Sequence, residues 1–106
     1  MTADNESPTA VVYRWRDVLL RKPLLHRAGE RLAQAIHRIN ELEGREHIST
    51  KTAEHVYLGA ANVLTCLDLA NAIAYPAVCE VATNIAVAAL EERLARAPSR
   101  DSARRR

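Results

Sequence analysis

Phenylalanine is absent from this chain of 106 residues, tryptophan and methionine occur once each, and glycine three times. A core must therefore be assembled from Ala, Val, Leu and Ile, with helices approaching closely through small side chains. So little glycine, and no alternation of β-branched residues lasting more than a few positions, argues against strands and tight turns. The glycine-rich loop that cradles phosphates is missing too, and neither a Cys-x-x-Cys pair nor a nucleophile elbow occurs. Fully apolar runs long enough for a membrane span are also lacking. Residues 69–90 have the length, but Asn71, Pro76, Glu80 and Asn84 lie inside the segment and Asp68 at its edge. One buried carboxylate costs roughly 2.5–3.5 kcal/mol on insertion scales, and alanine offsets little of it. The expectation is a water-soluble chain with no membrane contact.

Residues 1–8 are polar and acidic and carry no apolar stretch of the kind a signal peptide needs. With only two cysteines, Cys66 and Cys79, both set among apolar residues, the reading is a cytoplasmic protein with reduced thiols. A disulfide clasp is the alternative if the chain reverses near Pro76.

Four histidines raise the question of a metal. Di-iron helical proteins place Glu three residues before His so that both project inward. Before His26, His37, His47 and His55 stand Pro23, Gln34, Gly44 and Thr52, so the signature is absent. Glu43/His47, His26/Glu30 and His37/Glu41 are surface pairs four apart. His55 and Cys66, eleven apart, fall on one helical face, but no third ligand or orienting group accompanies them. Asp68 and Glu80, the acids nearest apolar surroundings, read as paired or wet, and Asn62, Asn71 and Asn84 as residues that set helix register through hydrogen bonds. Catalytic residues, metal and cofactor are all expected to be absent.

What the chain does contain is helical periodicity. Ser7 and Pro8 open a first helix running to about Leu20, with Val12, Trp15 and Leu19, flanked by Val11 and Val18, on its buried face. Pro23 opens a second. Leu25, Ala28, Leu32, Ala35, Ile39 and Leu42 follow a strict three-four spacing, widened by Leu24 and Ile36, and Gly44 suits its end. Ile48 followed by Ser49 marks the start of a third.

The remaining stretch, 53–94, dominates the sequence. Ala53, Val56, Ala60, Val63, Leu67, Ala70 and Ala74 form one stripe, and Leu58, Cys66, Leu69 and Ile73 a second. After Pro76 the pattern resumes with Val78, Val81, Ile85 and Ala88, and ends before Pro98. Helices apolar on so much of their circumference need more than one neighbour. Pro76 stands between two readings, a helix-to-helix turn and a kink in one long helix. The turn is preferred, because two apolar faces then cover each other within one chain.

The fold expected is all-α: a small four-helix bundle-like domain over residues 8–97, with two amphipathic helices and an Ala-rich apolar helix pair, and dimeric. Residues 1–7 are expected to be a flexible N-terminus and 98–106 a disordered basic tail. Apolar surface beyond what four helices can share points to a homodimer, with Val56, Ala60, Val63, Leu67, Val81, Ile85 and Ala88 as its interface. A non-catalytic regulator, adaptor or inhibitor that binds another protein is the functional reading, of a size suited to a bacterial or phage accessory protein.

Charge supplies the alternative. The net charge is only +2, yet between Arg14 and Arg38 the basic residues Arg14, Arg16, Arg21, Lys22, Arg27, Arg31 and Arg38 face just Asp17 and Glu30, and the chain ends in three arginines. Gathered on one surface they would suit a nucleic-acid backbone. Against this, the long second helix lacks the short helix, glycine turn and recognition helix of a helix-turn-helix.

Overall fold

A computed structural model of the protein describes residues 7–66 and 74–97. Among the described residues the secondary structure is entirely helical: α1 (Pro8–Arg21), a 3-10 turn (Pro23–Leu25), α2 (His26–Gly44), α3 (Thr50–Thr65) and α4 (Pro76–Arg96).

The helix starts follow local chemistry. The Ser7 hydroxyl accepts from the Ala10 amide at 3.1 Å, with Pro8 at a position where no N–H is needed. Ser49 does the same for the Thr52 amide at 3.1 Å, and buried Ile48 precedes it. Pro23 starts the 3-10 turn rather than the α-helix, which leaves Leu24 79% exposed instead of widening the stripe of α2. His26 Nδ1 donates to the Leu20 carbonyl at 2.9 Å and so satisfies an acceptor left open at the end of α1.

At the end of α2, Gly44 is the last helical residue, and the left-handed position falls on Glu46 (φ 61°). Amide to carbonyl bonds from Glu46 to Glu43 (3.0 Å) and from His47 to Leu42 (2.9 Å) complete a Schellman closure around it.

Both α1 and α4 pack against α2 and α3, while α2 and α3 meet only marginally. The core between them holds Val12, Trp15, Leu19, Leu32, Ile36, Ile39, Val56, Leu64 and Leu90. The faces expected for α1 and α2 are the buried ones, with Val18, Ala35 and Leu42 half-buried at the margin.

For the Ala-rich pair the structure corrects the reading of the sequence. α3 is helical to Thr65, and α4 starts at Pro76 and packs along it, so the two are not one kinked helix, while residues 67–73, through which the expected turn would run, lie outside the described residues. Leu67, Asp68, Leu69, Ala70, Asn71 and Ile73 lie outside the described residues, as do 1–6 and 98–106. On α3, Ala53, Val56 and Ala60 are buried as expected, but the second buried set is Tyr57, Gly59, Ala61 and Leu64, while Leu58 and Cys66 face water. On α4 the inward face is Cys79, Ala82, Thr83, Ala86 and Leu90. The buried Thr83 hydroxyl is satisfied by the Cys79 carbonyl at 2.8 Å. Both cysteines are free thiols, and burial raises the pKa of Cys79.

Two glycines mark close approaches. A Cβ at Gly29 would stand 2.8 Å from the Leu20 amide nitrogen and 3.0 Å from the Leu19 carbonyl carbon, both backbone atoms of α1. At Gly59 it would meet Arg93, 2.7 Å from Cδ, which lies near the free end of a flexible side chain. Alanine gains about 1 kcal/mol over glycine in a helix interior, whereas forcing two backbones apart costs about 1–3 kcal/mol. Gly29→Ala is therefore expected to destabilise by up to about 2 kcal/mol. Gly59→Ala should fall within about 0.5 kcal/mol of the parent or above it, because Arg93 can swing aside. Paired urea melts read the contrast, and equal losses in the two variants would contradict it.

Candidate interaction surface

The outward face of α4 is the notable feature of the surface. Val78, Val81 and Ile85 follow helical spacing and are 51%, 58% and 53% exposed. With Ala77, Ala82 and half-buried Val63 of α3 they line a shallow apolar depression of about 480 Å³. Exposed Tyr75 precedes this stripe and exposed Ala88 continues it. Exposed large side chains in a contiguous patch mark interaction sites, whereas scattered ones need no explanation.

α3 buries Gly59, Ala60 and Ala61, and the first half of α4 buries Cys79, Ala82 and Ala86. The larger residues of that half, Val78, Val81 and Ile85, are left facing outward.

Of the seven positions read as an interface, Val81, Ile85 and Ala88 are exposed and Val63 is half-buried. Val56 (1% exposed) and Ala60 (0%) belong to the chain's own core and cannot meet a partner without unfolding. Leu67 is outside the described residues. Val78 and Ala77 were not among the seven, although Val78 continues the Val81–Ile85 spacing toward Pro76.

The basic residues do not gather on one surface. Arg16 lies over the Tyr13 ring, 4.5 Å from its centroid, and pairs with Asp17 at 3.0 Å. Arg31 and Arg38 face the opposite flank of α2, along a groove shared with α4, where Arg31 Nη1 donates to Asn84 Oδ1 at 2.7 Å. Arg14 and Arg21 share an exposed face of α1, while Lys22 at its end and Arg27 at the start of α2 are also exposed.

No three His, Cys, Asp or Glu side chains converge to hold a metal among the described residues. His26 and His37 lie 3.8 and 3.9 Å from Glu30 and Glu41. His55 and Cys66 share a face but stand about 16 Å apart along the axis at 1.5 Å per residue, so they cannot act on one atom. Instead His55 Nε2 accepts from Arg93 Nη1 at 3.4 Å, across an open cleft of about 990 Å³ between α3 and α4. Charges of both signs line that cleft, and Glu92 pairs with Arg96 at 2.8 Å. Glu80 is exposed.

A polar cluster that the sequence did not disclose lies where α1, α2 and α3 meet. The Asn40 amide engages the Tyr13 hydroxyl (Nδ2 to Oη 3.0 Å), and Tyr57 Oη reaches Asn40 Oδ1 at 3.5 Å. The two tyrosine rings stand edge to face with centroids 5.9 Å apart. Burial, then the neighbouring Tyr13 hydroxyl, holds the pKa of Tyr57 well above that of an ordinary phenol. An unfolded phenol ionises near pH 10. Because the folded pKa is the higher one, the contribution of Tyr57 is intact below about pH 10 and is lost as pH rises beyond it, at about 1.4 kcal/mol per pH unit. Tyr57→Phe should therefore flatten the alkaline decline in unfolding free energy by that slope, at a neutral-pH cost of about 1 kcal/mol or less for so long a hydrogen bond. Denaturant melts between neutral pH and pH 11 decide it, and parallel alkaline limbs in parent and variant would contradict the assignment.

Compared with protein families, with curated proteins and with solved structures, the chain matches none. Among the described residues no helix is long and apolar enough to cross a membrane.

Proposed function

We propose that the protein is a non-catalytic interaction protein, a regulator, adaptor or inhibitor, that works as a homodimer of small four-helix bundles joined through the outer face of α4. One observation carries the reading: over its first half α4 buries Cys79, Ala82, Thr83 and Ala86 and exposes Val78, Val81 and Ile85. A helix segment that keeps its larger apolar side chains in water is arranged for a partner, since its own core could have used them. A second copy fits because one self-complementary stripe serves both sides of a two-fold contact. Val63 and Ala77 widen the stripe to the breadth of two helices.

Placement of Arg14, Arg16 and Arg21 on α1 and of Arg31 and Arg38 along the α4 side of α2 favours this reading over a nucleic-acid surface, which needs its cations on one side. Linkage gives the test. If folding and association are coupled, the melting temperature rises with protein concentration, and one independent of concentration counts against the dimer. Labelled duplex DNA titrated at several salt concentrations addresses the alternative, since phosphate contact weakens steeply as salt rises. Salt-sensitive binding that is abolished by Arg27→Glu together with Arg38→Glu would replace the dimer reading with the nucleic-acid one.

A further inference from the structure

On the flank of α4 away from Val81 and Ile85, a groove of about 440 Å³ runs between α2 and α4. Its floor is Ala35 and Ile39 of α2 with Val87, Leu90 and Leu94 of α4. Arg38 and Arg31 stand on the α2 bank and Glu91 on the α4 bank. The Arg31–Asn84 hydrogen bond ties the two helices together at one end.

We infer that this groove is a second docking surface, separate from the dimer face, for an amphipathic helix of a partner protein. That helix carries acidic residues on the flank toward α2 and a basic or neutral residue opposite Glu91. Three features select this occupant. The α2 bank presents residues at helical spacing over about 12 Å, or two turns, and the α4 bank does likewise, so the ridges of a third helix can settle between them. The floor is apolar and half-buried at Ala35, Val87 and Leu94, so an apolar stripe laid on it is removed from water together with these side chains. The banks differ in charge: Arg31 and Arg38 line the α2 side, against Glu91 on the α4 side. An apolar stripe with acids on one flank therefore binds in one orientation. A nucleic-acid backbone is disfavoured here by the apolar floor and by Glu91.

The probe is a displayed library of short amphipathic helices with three fixed leucines at helical spacing and flanks randomised among Glu, Gln and Lys. Selection on the native protein should enrich Glu on one flank by tenfold or more. NMR shifts induced by an enriched peptide should map to Ala35, Ile39, Val87 and Leu94. Arg38→Glu lies on an exposed position and should leave the melting temperature in place while exchanging the preference on that flank from Glu to Lys. Three outcomes overturn the inference: no flank preference, shifts confined to Val78, Val81 and Ile85, or a Glu preference that survives Arg38→Glu. Since the groove and the dimer face lie on opposite flanks of α4, Ile85→Glu should leave peptide binding unchanged, so the two readings fail separately.

Discussion

Ile85→Glu should dissociate the protein into single chains that remain folded. Ile85 is 53% exposed, so the substitution removes little from the chain's own core. In a two-fold contact the residue occurs twice. Completing the burial of a half-exposed Val or Ile contributes about 1 kcal/mol, and Val78, Val81 and Ile85 of two copies together supply about 5–8 kcal/mol of gross association energy. Exchanging two isoleucines for carboxylates in an apolar contact removes part of that and adds the desolvation of two charges, each at least 1–3 kcal/mol without a partner. The dissociation constant should rise by about a thousandfold or more, equivalent to about 4 kcal/mol. Ile85→Ala, which only trims the contact, should change it by about tenfold. Light scattering on a sizing column reads both masses, and circular dichroism checks that helix content is retained. A variant of unchanged mass places the association, if any, elsewhere.

Trp15→Ala is expected to have the largest effect on folding. Trp15 is 1% exposed and is the bulkiest side chain in a core built mostly from aliphatic residues, so its truncation leaves a large space to fill. Truncating a buried tryptophan costs about 3–5 kcal/mol, out of the roughly 5–15 kcal/mol that holds a domain together. The urea midpoint should fall by about 2 M, given slopes of about 1–3 kcal/mol per molar for small proteins. A shift below about 0.5 M would mean that the space closes by rearrangement, and the packing described for α1 would then be wrong.

Much of the helical framework was legible because its signals are local. Ser7-Pro8, Pro23 and Ser49 each act within one turn of themselves, and the structure puts a helix or 3-10 start at each. The three-four spacing from Leu25 to Leu42 contrasts apolar with charged residues, so the face of α2 could be read directly. That contrast fails on α3 and α4. Where nearly every position is Ala, Val, Leu or Cys, several stripes fit the helical period equally well. The period picked out Val78, Val81 and Ile85, whereas the structure buries Cys79, Ala82 and Ala86. Gly59 with Arg93, Gly29 with Leu20, and Tyr13 with Asn40 and Tyr57 are contacts between separate elements, and no spacing within one segment records them. The groove between α2 and α4 left a partial trace, since Arg31 and Arg38 flank Ala35 and Ile39 at one-turn intervals. Its second wall depends on where α4 packs.

In the proposed dimer the outer face of α4 joins two copies of the chain. Sedimentation equilibrium of the unmodified protein over a dilution series extending below micromolar tests it most directly. A mass twice the 11.8 kDa of one chain, falling toward that value on dilution, is the predicted result. A single-chain mass at every concentration would contradict the account.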